Sequence, residues 1–306
     1  MKKVLIATEK PFAPAAVEGI KNVFDKANYE TLLLEKYTEK SQLIEAVNNV
    51  DAMIIRSDKA TKEVIDAAQN LKIIVRAGAG YDNIDLDACT DKGVVAMNTP
   101  GQNSNAVAEL AFALMLYLIR NAFNGKSGSE LRGKKIGIHA YGNVGKYVAL
   151  IAKGFGMDVY AFDPFVKKEE IEKDDVKVVD SAEELYKTCQ YISLHIPAND
   201  KTKQSINYKL ISQMPKNGVL VNTARKEVIN EDDLIKLMEE RQDLSYLSDI
   251  APDKIVEMQE KFENRVVFTA KKMGAQTSEA NINAGIAAAN QIVAFLEKGD
   301  ETFKVN

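Results

Sequence analysis

The chain has 306 residues, 46% hydrophobic and 27% charged, with a net charge of −4 at neutral pH. That length exceeds one compact core and suits two domains, and the balance excludes a disordered chain. Acidic and basic residues are interspersed, which excludes a basic nucleic-acid face, and no apolar run reaches the roughly 18 residues that span a bilayer.

The opening stretch Met1–Ala7 lacks the shape of a signal peptide, because its apolar part is short and Glu9-Lys10 follow. Cys89 and Cys189 have neither metal-like spacing nor a disulfide framework. Two histidines, His139 and His195, leave little scope for a histidine metal site. The expectation is a soluble cytoplasmic protein with no metal, no nucleic-acid partner and no membrane partner.

In the first third, short apolar runs at Lys3–Thr8, Ala52–Arg56, Ile73–Arg76 and Val94–Asn98 alternate with helical patterns at Ala15–Ala27, Ser41–Val47 and Thr61–Ala68. Strand–helix–strand repetition predicts a parallel sheet covered on both faces. Asn105–Arg120 reads as a long helix, apolar all round, after which the series restarts. The second set of strands is Lys135–Ala140, Val159–Phe162, Tyr191–Ile196, Val219–Asn222, Tyr246–Ile250 and Val266–Thr269. Two series predict two doubly wound α/β domains. The final helix, about Glu279–Lys298, is free to return to the first domain and make it discontinuous. The expected division is 1–98 plus 282–306 against 99–281.

The second series opens on a strand–turn–helix, Lys135-Ile136-Gly137-Ile138-His139-Ala140-Tyr141-Gly142-Asn143-Val144-Gly145, followed by a helical stretch to Phe155. Gly142 and Gly145 take the second and third glycine positions of a dinucleotide-binding turn. Gly142 would let backbone approach a pyrophosphate, Gly145 would let the helix lie close to the strand, and the helix N-terminus would face the phosphates. Ala140 stands where the first glycine belongs. Alone, two glycines at this spacing read equally as a tight turn. Asp163, ending the next strand 18 residues beyond Gly145, strengthens the nucleotide reading. A carboxylate there accepts the adenosine ribose hydroxyls and repels a 2′-phosphate, which favours NAD over NADP.

From here the sequence resembles the D-2-hydroxyacid dehydrogenases, and within them the phosphoglycerate dehydrogenases, over nearly its whole length. The resemblance rests on Arg56-Ser57, Arg76-Ala77-Gly78-Ala79-Gly80-Tyr81-Asp82-Asn83-Ile84-Asp85, and Asn98-Thr99-Pro100 with Asn103 and Val107-Ala108-Glu109. It continues through Ser193-Leu194-His195-Ile196-Pro197 and Asn222-Thr223-Ala224-Arg225. It implies a flavodoxin-like substrate domain and a Rossmann NAD domain, with NAD and substrate in the cleft between them.

The implied substrate is a phosphorylated 2-hydroxy acid, 3-phosphoglycerate, oxidised on the way to serine. Gly78, Ala79 and Gly80 would converge N–H groups on a carboxylate, although the same residues suit a plain turn. Arg56 and Ser57 leave a strand tip, where an arginine offers a planar fork for carboxylate or phosphate; a surface arginine paired to an acid is the alternative, and Lys59 is a weaker second phosphate candidate. Asn103 joins the substrate set by its block. The NAD set takes Gly142, Asn143, Val144, Gly145, Asp163, Thr223, Ala224 and Gly274. His195 and Pro197 match the family's loop beside the cofactor, which assigns His195 to NAD contact and not to proton transfer. Asp249 would hold the nicotinamide carboxamide.

Arg225 matches the family's catalytic arginine, which holds the substrate carboxylate and polarises the C2 oxygen. The family's usual histidine and its orienting glutamate are both missing. Thr269-Ala270-Lys271-Lys272-Met273-Gly274-Ala275 places Lys272 at the histidine's position, with Lys271 as rival, and Lys254 stands at the glutamate's. A glutamate beside lysine would stabilise an ammonium whose ordinary pKa is about 10.4, so losing both together is coherent with a lysine base. A short class of phosphoglycerate dehydrogenases is similar in carrying lysine there. Two alternatives stay open: a glyoxylate or hydroxypyruvate reductase, and a non-catalytic NAD-sensing protein. The long Asn105–Arg120 helix matches the family's dimer interface and implies a homodimer.

Overall fold

Parallel strands covered on both faces are continuous apolar runs, and the strands form on those runs. A computed structural model describes all 306 residues, in two units: Met1–Asn103 with Gln276–Asn306, and Ser104–Ala275.

The first unit carries β1 (Lys3–Thr8), β2 (Glu30–Glu35), β3 (Ala52–Ile55), β4 (Ile73–Arg76) and β5 (Val95–Asn98) in the order β2-β1-β3-β4-β5. All four pairings are parallel, with Ile6 opposite Ile54 and Ile55 opposite Arg76. The strand order reverses at β1 and β3, and crevices at such reversals are where open α/β sheets bind ligands. One face is covered by helices Pro14–Lys26 and Ser278–Lys298, whose Ile20, Phe24, Ala284, Ala288 and Ile292 are buried together. Their backbones approach closely at two glycines. A Cβ on Gly19 would sit 2.8 Å from Ile286, and one on Gly285 2.9 Å from Ile20.

That packing explains why the last helix belongs to the first sheet. The division falls at Asn103/Ser104 and Ala275/Gln276, a few residues from the expected breaks at 98/99 and 281/282. Thr99 stays with the first unit because its amide donates to the Gly78 carbonyl and its hydroxyl accepts from the Gly78 amide. Thr277 caps the last helix by accepting from Ala280 N–H at 3.1 Å, so the whole helix moves with that cap.

The second unit carries β6 (Lys135–His139), β7 (Asp158–Phe162), β8 (Lys177–Val178), β9 (Tyr191–Leu194), β10 (Val219–Asn222), β11 (Ser245–Ser248) and β12 (Val266–Phe268). Their order is β12-β11-β10-β9-β6-β7-β8, all parallel, reversing at β6 and β9. Helices Ser104–Ile119 and Asn143–Gly154 share one core, with Phe112 stacked on Phe155 at 5.2 Å. The first of these helices is not apolar all round. Asn105, Glu109, Ala113 and Tyr117 form an exposed stripe, on which Asn105 donates to Glu109 at 2.7 Å. No helix is long and apolar enough to cross a membrane.

Candidate active site

In the second unit the chain leaves β6 through a turn that needs one unusual backbone conformation and one close approach. Ala140 holds φ +81°, a conformation that suits glycine and costs an alanine roughly 1–2 kcal/mol. A Cβ on Gly145 would lie 2.5 Å from the Ala140 carbonyl oxygen, so helix and turn touch there and only glycine fits. Gly142 is the N-cap of helix Asn143–Gly154, and a Cβ on it would meet nothing within 4 Å. The space in front of the helix N-terminus, around Gly142, Asn143 and Val144, is therefore open to a phosphate.

Asp163 directly follows β7, beside this turn, and is oriented by backbone. It accepts from Tyr141 N–H at 2.7 Å, and from Phe165 and Val166 N–H at 2.8 and 3.2 Å. Three amides fix the carboxylate in place, and lone pairs remain for ribose hydroxyls. A cavity of about 450 Å³ opens next to it, lined among others by His139, Ala140, Phe162, Asp163, Ile196 and Pro197. His195 does not line this cavity. Its Nε2 pairs with Ser193 Oγ at 2.9 Å, and burial pushes it down to about 3. His139, against the Tyr186 hydroxyl at 3.4 Å, is likewise lowered by burial to about 4.

At the end of β10 the Asn222 side chain shapes the loop, accepting from Ala224 N–H at 3.0 Å and donating to the Arg225 carbonyl at 3.0 Å. Arg225 is thereby presented to solvent, with Nη1 donating to the Ala224 carbonyl at 2.8 Å. Thr223 Oγ1 is buried without a hydrogen-bond partner. A buried hydroxyl left so costs about 1–3 kcal/mol, and a dinucleotide laid across the strand ends would supply one. These residues fit NAD: a glycine turn with open space, an aligned carboxylate, an apolar cavity and an orphaned hydroxyl on one sheet edge.

Asp249 follows β11 and is only 1% exposed. It accepts from Thr269 Oγ1 at 3.1 Å, Met273 N–H at 2.6 Å and Gly274 N–H at 2.8 Å. A carboxylate has about four acceptor sites, so roughly one is left for another donor. Asp249 thus latches the segment that carries Lys271 and Lys272, both exposed. Gly274 is tight against it: a Cβ there would be 2.8 Å from Asp249 Oδ2. Lys254, at the position of the family's glutamate, pairs with Asp232.

In the first unit, the reversal point between β1 and β3 is tied by side chains. Arg56 Nη1 donates to the carbonyls of Lys10 and Pro11 at 3.4 and 3.2 Å, and Nη2 donates to Asn281 Oδ1 at 2.5 Å. Its guanidinium also stacks on Phe12 at 5.0 Å. Asp58, 1% exposed, accepts from Glu9 N–H at 2.6 Å, Tyr37 OH at 2.7 Å and Arg56 N–H at 3.2 Å. Ser57 and Lys59 are exposed on either side. Gly78 donates its N–H to Thr99 Oγ1 at 2.6 Å, whereas Ala79 and Gly80 keep N–H groups without an acceptor in the protein. Asn103 is half-buried just before the helix at Ser104. Sequence reasoning gave no role to Asp58 or Arg76. Arg76 had a visible signal, a basic residue directly before the glycines; the hub at Asp58 depends on distant partners and had none.

Residues 114–270 match the D-isomer specific 2-hydroxyacid dehydrogenase, NAD binding domain, and NAD is the cofactor. The whole chain is similar to the NAD+-bound 3-phosphoglycerate dehydrogenase of Entamoeba histolytica, at 47% identity and a TM-score of 0.85, covering 100% of this chain and 98% of that one. It is 35% identical over 267 residues to the D-3-phosphoglycerate dehydrogenase of Methanocaldococcus jannaschii, 83% of this chain but 51% of that one, so it spans about half that relative's length. A glyoxylate reductase of Thermococcus litoralis is 32% identical over 90% of both chains.

Proposed function

Within the D-isomer specific 2-hydroxyacid dehydrogenases, the family to which this chain belongs, we propose that it oxidises D-3-phosphoglycerate to 3-phosphohydroxypyruvate, a cytoplasmic step toward serine. The observation that carries the phosphorylated substrate is a second fork in addition to Arg225: Arg76, ending β4, keeps both outer nitrogens without an acceptor in the protein. Two guanidiniums exceed what a single carboxylate needs.

Arg225, presented at the end of β10, holds the substrate carboxylate and polarises the C2 oxygen. The Lys272 amine takes the hydroxyl proton as the C2 hydrogen leaves with its electron pair, and the C2–O bond becomes a carbonyl. Bound NAD supplies the two-electron acceptor. Asp249 keeps the lysine segment in place and retains an acceptor for the carboxamide. The exposed stripe from Asn105 to Tyr117 is the homodimer contact in the same reading.

The test is a steady-state comparison of 3-phosphoglycerate, D-glycerate, D-lactate and glyoxylate. The expected kcat/KM favours 3-phosphoglycerate over D-glycerate by at least about a hundredfold, because a site built around phosphate is left with unpaired cations without it. The Thermococcus litoralis relative favours a second reading as a glyoxylate reductase. Faster glyoxylate reduction, with no advantage for 3-phosphoglycerate, would establish that reading instead.

A further inference from the structure

We infer that Arg76, and not Arg56, is the oxyanion-binding fork of the first unit, and that it grips the phosphate of the substrate; this rests on the reading of the chain as a dehydrogenase of a phosphorylated acid. The two arginines end adjacent strands, yet their hydrogen bonding differs. Both outer nitrogens of Arg56 are engaged by Lys10, Pro11 and Asn281, and its face is covered by Phe12. It ties the loop after β1 and the last helix to the end of β3. A phosphate could reach its donors only by breaking those ties.

Arg76 is anchored at one point. Its Nε donates to the Arg56 carbonyl at 3.0 Å, which fixes the plane of the guanidinium, while Nη1 and Nη2 meet no acceptor in the protein. The group lies across Gly78, where a Cβ would stand 1.7 Å from Nη1, and Gly78 takes φ +149°, a backbone open to glycine. Glycine at 78 thus makes room for the arginine. Beside it are the unengaged N–H groups of Ala79 and Gly80. The carboxylate of Asp82 attracts the guanidinium without forming an ion pair, and Arg56 repels it. Half-burial, two free donors on a fixed plane and adjoining free amides together make a preformed oxyanion site. Its donors suit either a phosphate or a carboxylate, and the experiment separates them.

Kd values for 3-phosphoglycerate, inorganic phosphate and D-glycerate would be measured by calorimetry on the wild-type chain, Arg76→Ala, Arg76→Lys and Arg56→Ala, with a melting curve for each. Arg76→Ala should weaken 3-phosphoglycerate about a hundredfold and D-glycerate less than threefold. Arg76→Lys, which keeps charge but not the fork, should melt like the wild type and still lose about tenfold. Arg56→Ala should show its main effect in the melting temperature, with a smaller loss of 3-phosphoglycerate affinity than Arg76→Ala. Equal loss of 3-phosphoglycerate and D-glycerate in Arg76→Ala would overturn the phosphate assignment in favour of the carboxylate. If the wild type binds 3-phosphoglycerate and Arg56→Ala alone loses it, the inference fails while the substrate reading stands. If the wild type binds neither 3-phosphoglycerate nor inorganic phosphate, both fall together.

Discussion

The two units finish the same kind of sheet in opposite ways. In each, parallel strands reverse order near the middle, at β1/β3 in one and β6/β9 in the other. The first unit closes its reversal point with its own side chains: Arg56 ties three segments, and Asp58 collects Glu9, Tyr37 and Arg56. The second leaves its reversal point open, with clear space at Gly142, a cavity beside Asp163 and an unpartnered Thr223 hydroxyl. Strand order alone therefore does not make a ligand site. What decides is whether the residues at the strand tips satisfy one another or wait for something else.

Two glycine substitutions would put this contrast under the most strain. Gly145→Val drives a side chain into the Ala140 carbonyl, 2.5 Å from the new Cβ. It should cost roughly 2–3 kcal/mol of stability and abolish measurable NAD binding. Gly142→Val faces open space, so the melting curve should barely move while NAD affinity drops at least tenfold. Equal damage to stability from both would mean that the turn is packed throughout and not open for a ligand.

Asp163 sharpens the same point with a smaller effect. Its amide-held carboxylate should repel a 2′-phosphate and make NAD bind at least tenfold tighter than NADP, about 1.4 kcal/mol. Titration with both cofactors checks this, and equal affinities would remove the ribose from Asp163.

The smallest expected effect is on acid stability. His139 is kept neutral by burial, at about 4, against about 6.5 in an unfolded chain. The unfolded chain therefore takes up the proton first as pH falls. Stability from this ring is complete above about pH 6.5 and is lost as pH falls toward 4. This ring should contribute a loss of about 2 kcal/mol to urea unfolding between pH 7 and 4.5, beside a loss of the same sign from the buried His195, and His139→Leu should make the slope shallower without removing it. An unchanged slope would place the acid sensitivity elsewhere.

Much of this was legible in the sequence where the information is local. β1, β4 and β10 run over Lys3–Thr8, Ile73–Arg76 and Val219–Asn222 as read, because a doubly covered parallel strand is a bare apolar run. The edges were not legible. β2 is flanked by Glu30 and Glu35 and β8 is two residues long, so neither makes a pattern. Helix Leu86–Lys92 was missed although Asp85 caps it and Gly93 ends it, since seven residues give too few turns to establish a period. In the site, Gly142, Gly145 and Asp163 follow from one motif and its neighbour strand. The division of labour between Arg56 and Arg76 does not, because it turns on Asn281, 225 positions away. Likewise nothing near Asp249 in sequence announces that it holds Met273 and Gly274.

The central claim is that a lysine on the latched segment moves the proton, and the pH dependence of kcat for oxidation tests it most directly. Wild type, Lys272→Ala and Lys271→Ala would be compared with saturating NAD and substrate. The wild-type rate should climb into alkaline pH on a pKa above the histidine value of about 6.5, since the amine must be neutral. Lys272→Ala should lose roughly 10²–10⁴-fold in kcat with NAD affinity nearly unchanged, and Lys271→Ala should keep most of its activity and the wild-type profile. Inactivity of Lys271→Ala beside a normal Lys272→Ala would move the role to the neighbouring lysine. Wild-type turnover by both variants would contradict proton transfer by either lysine.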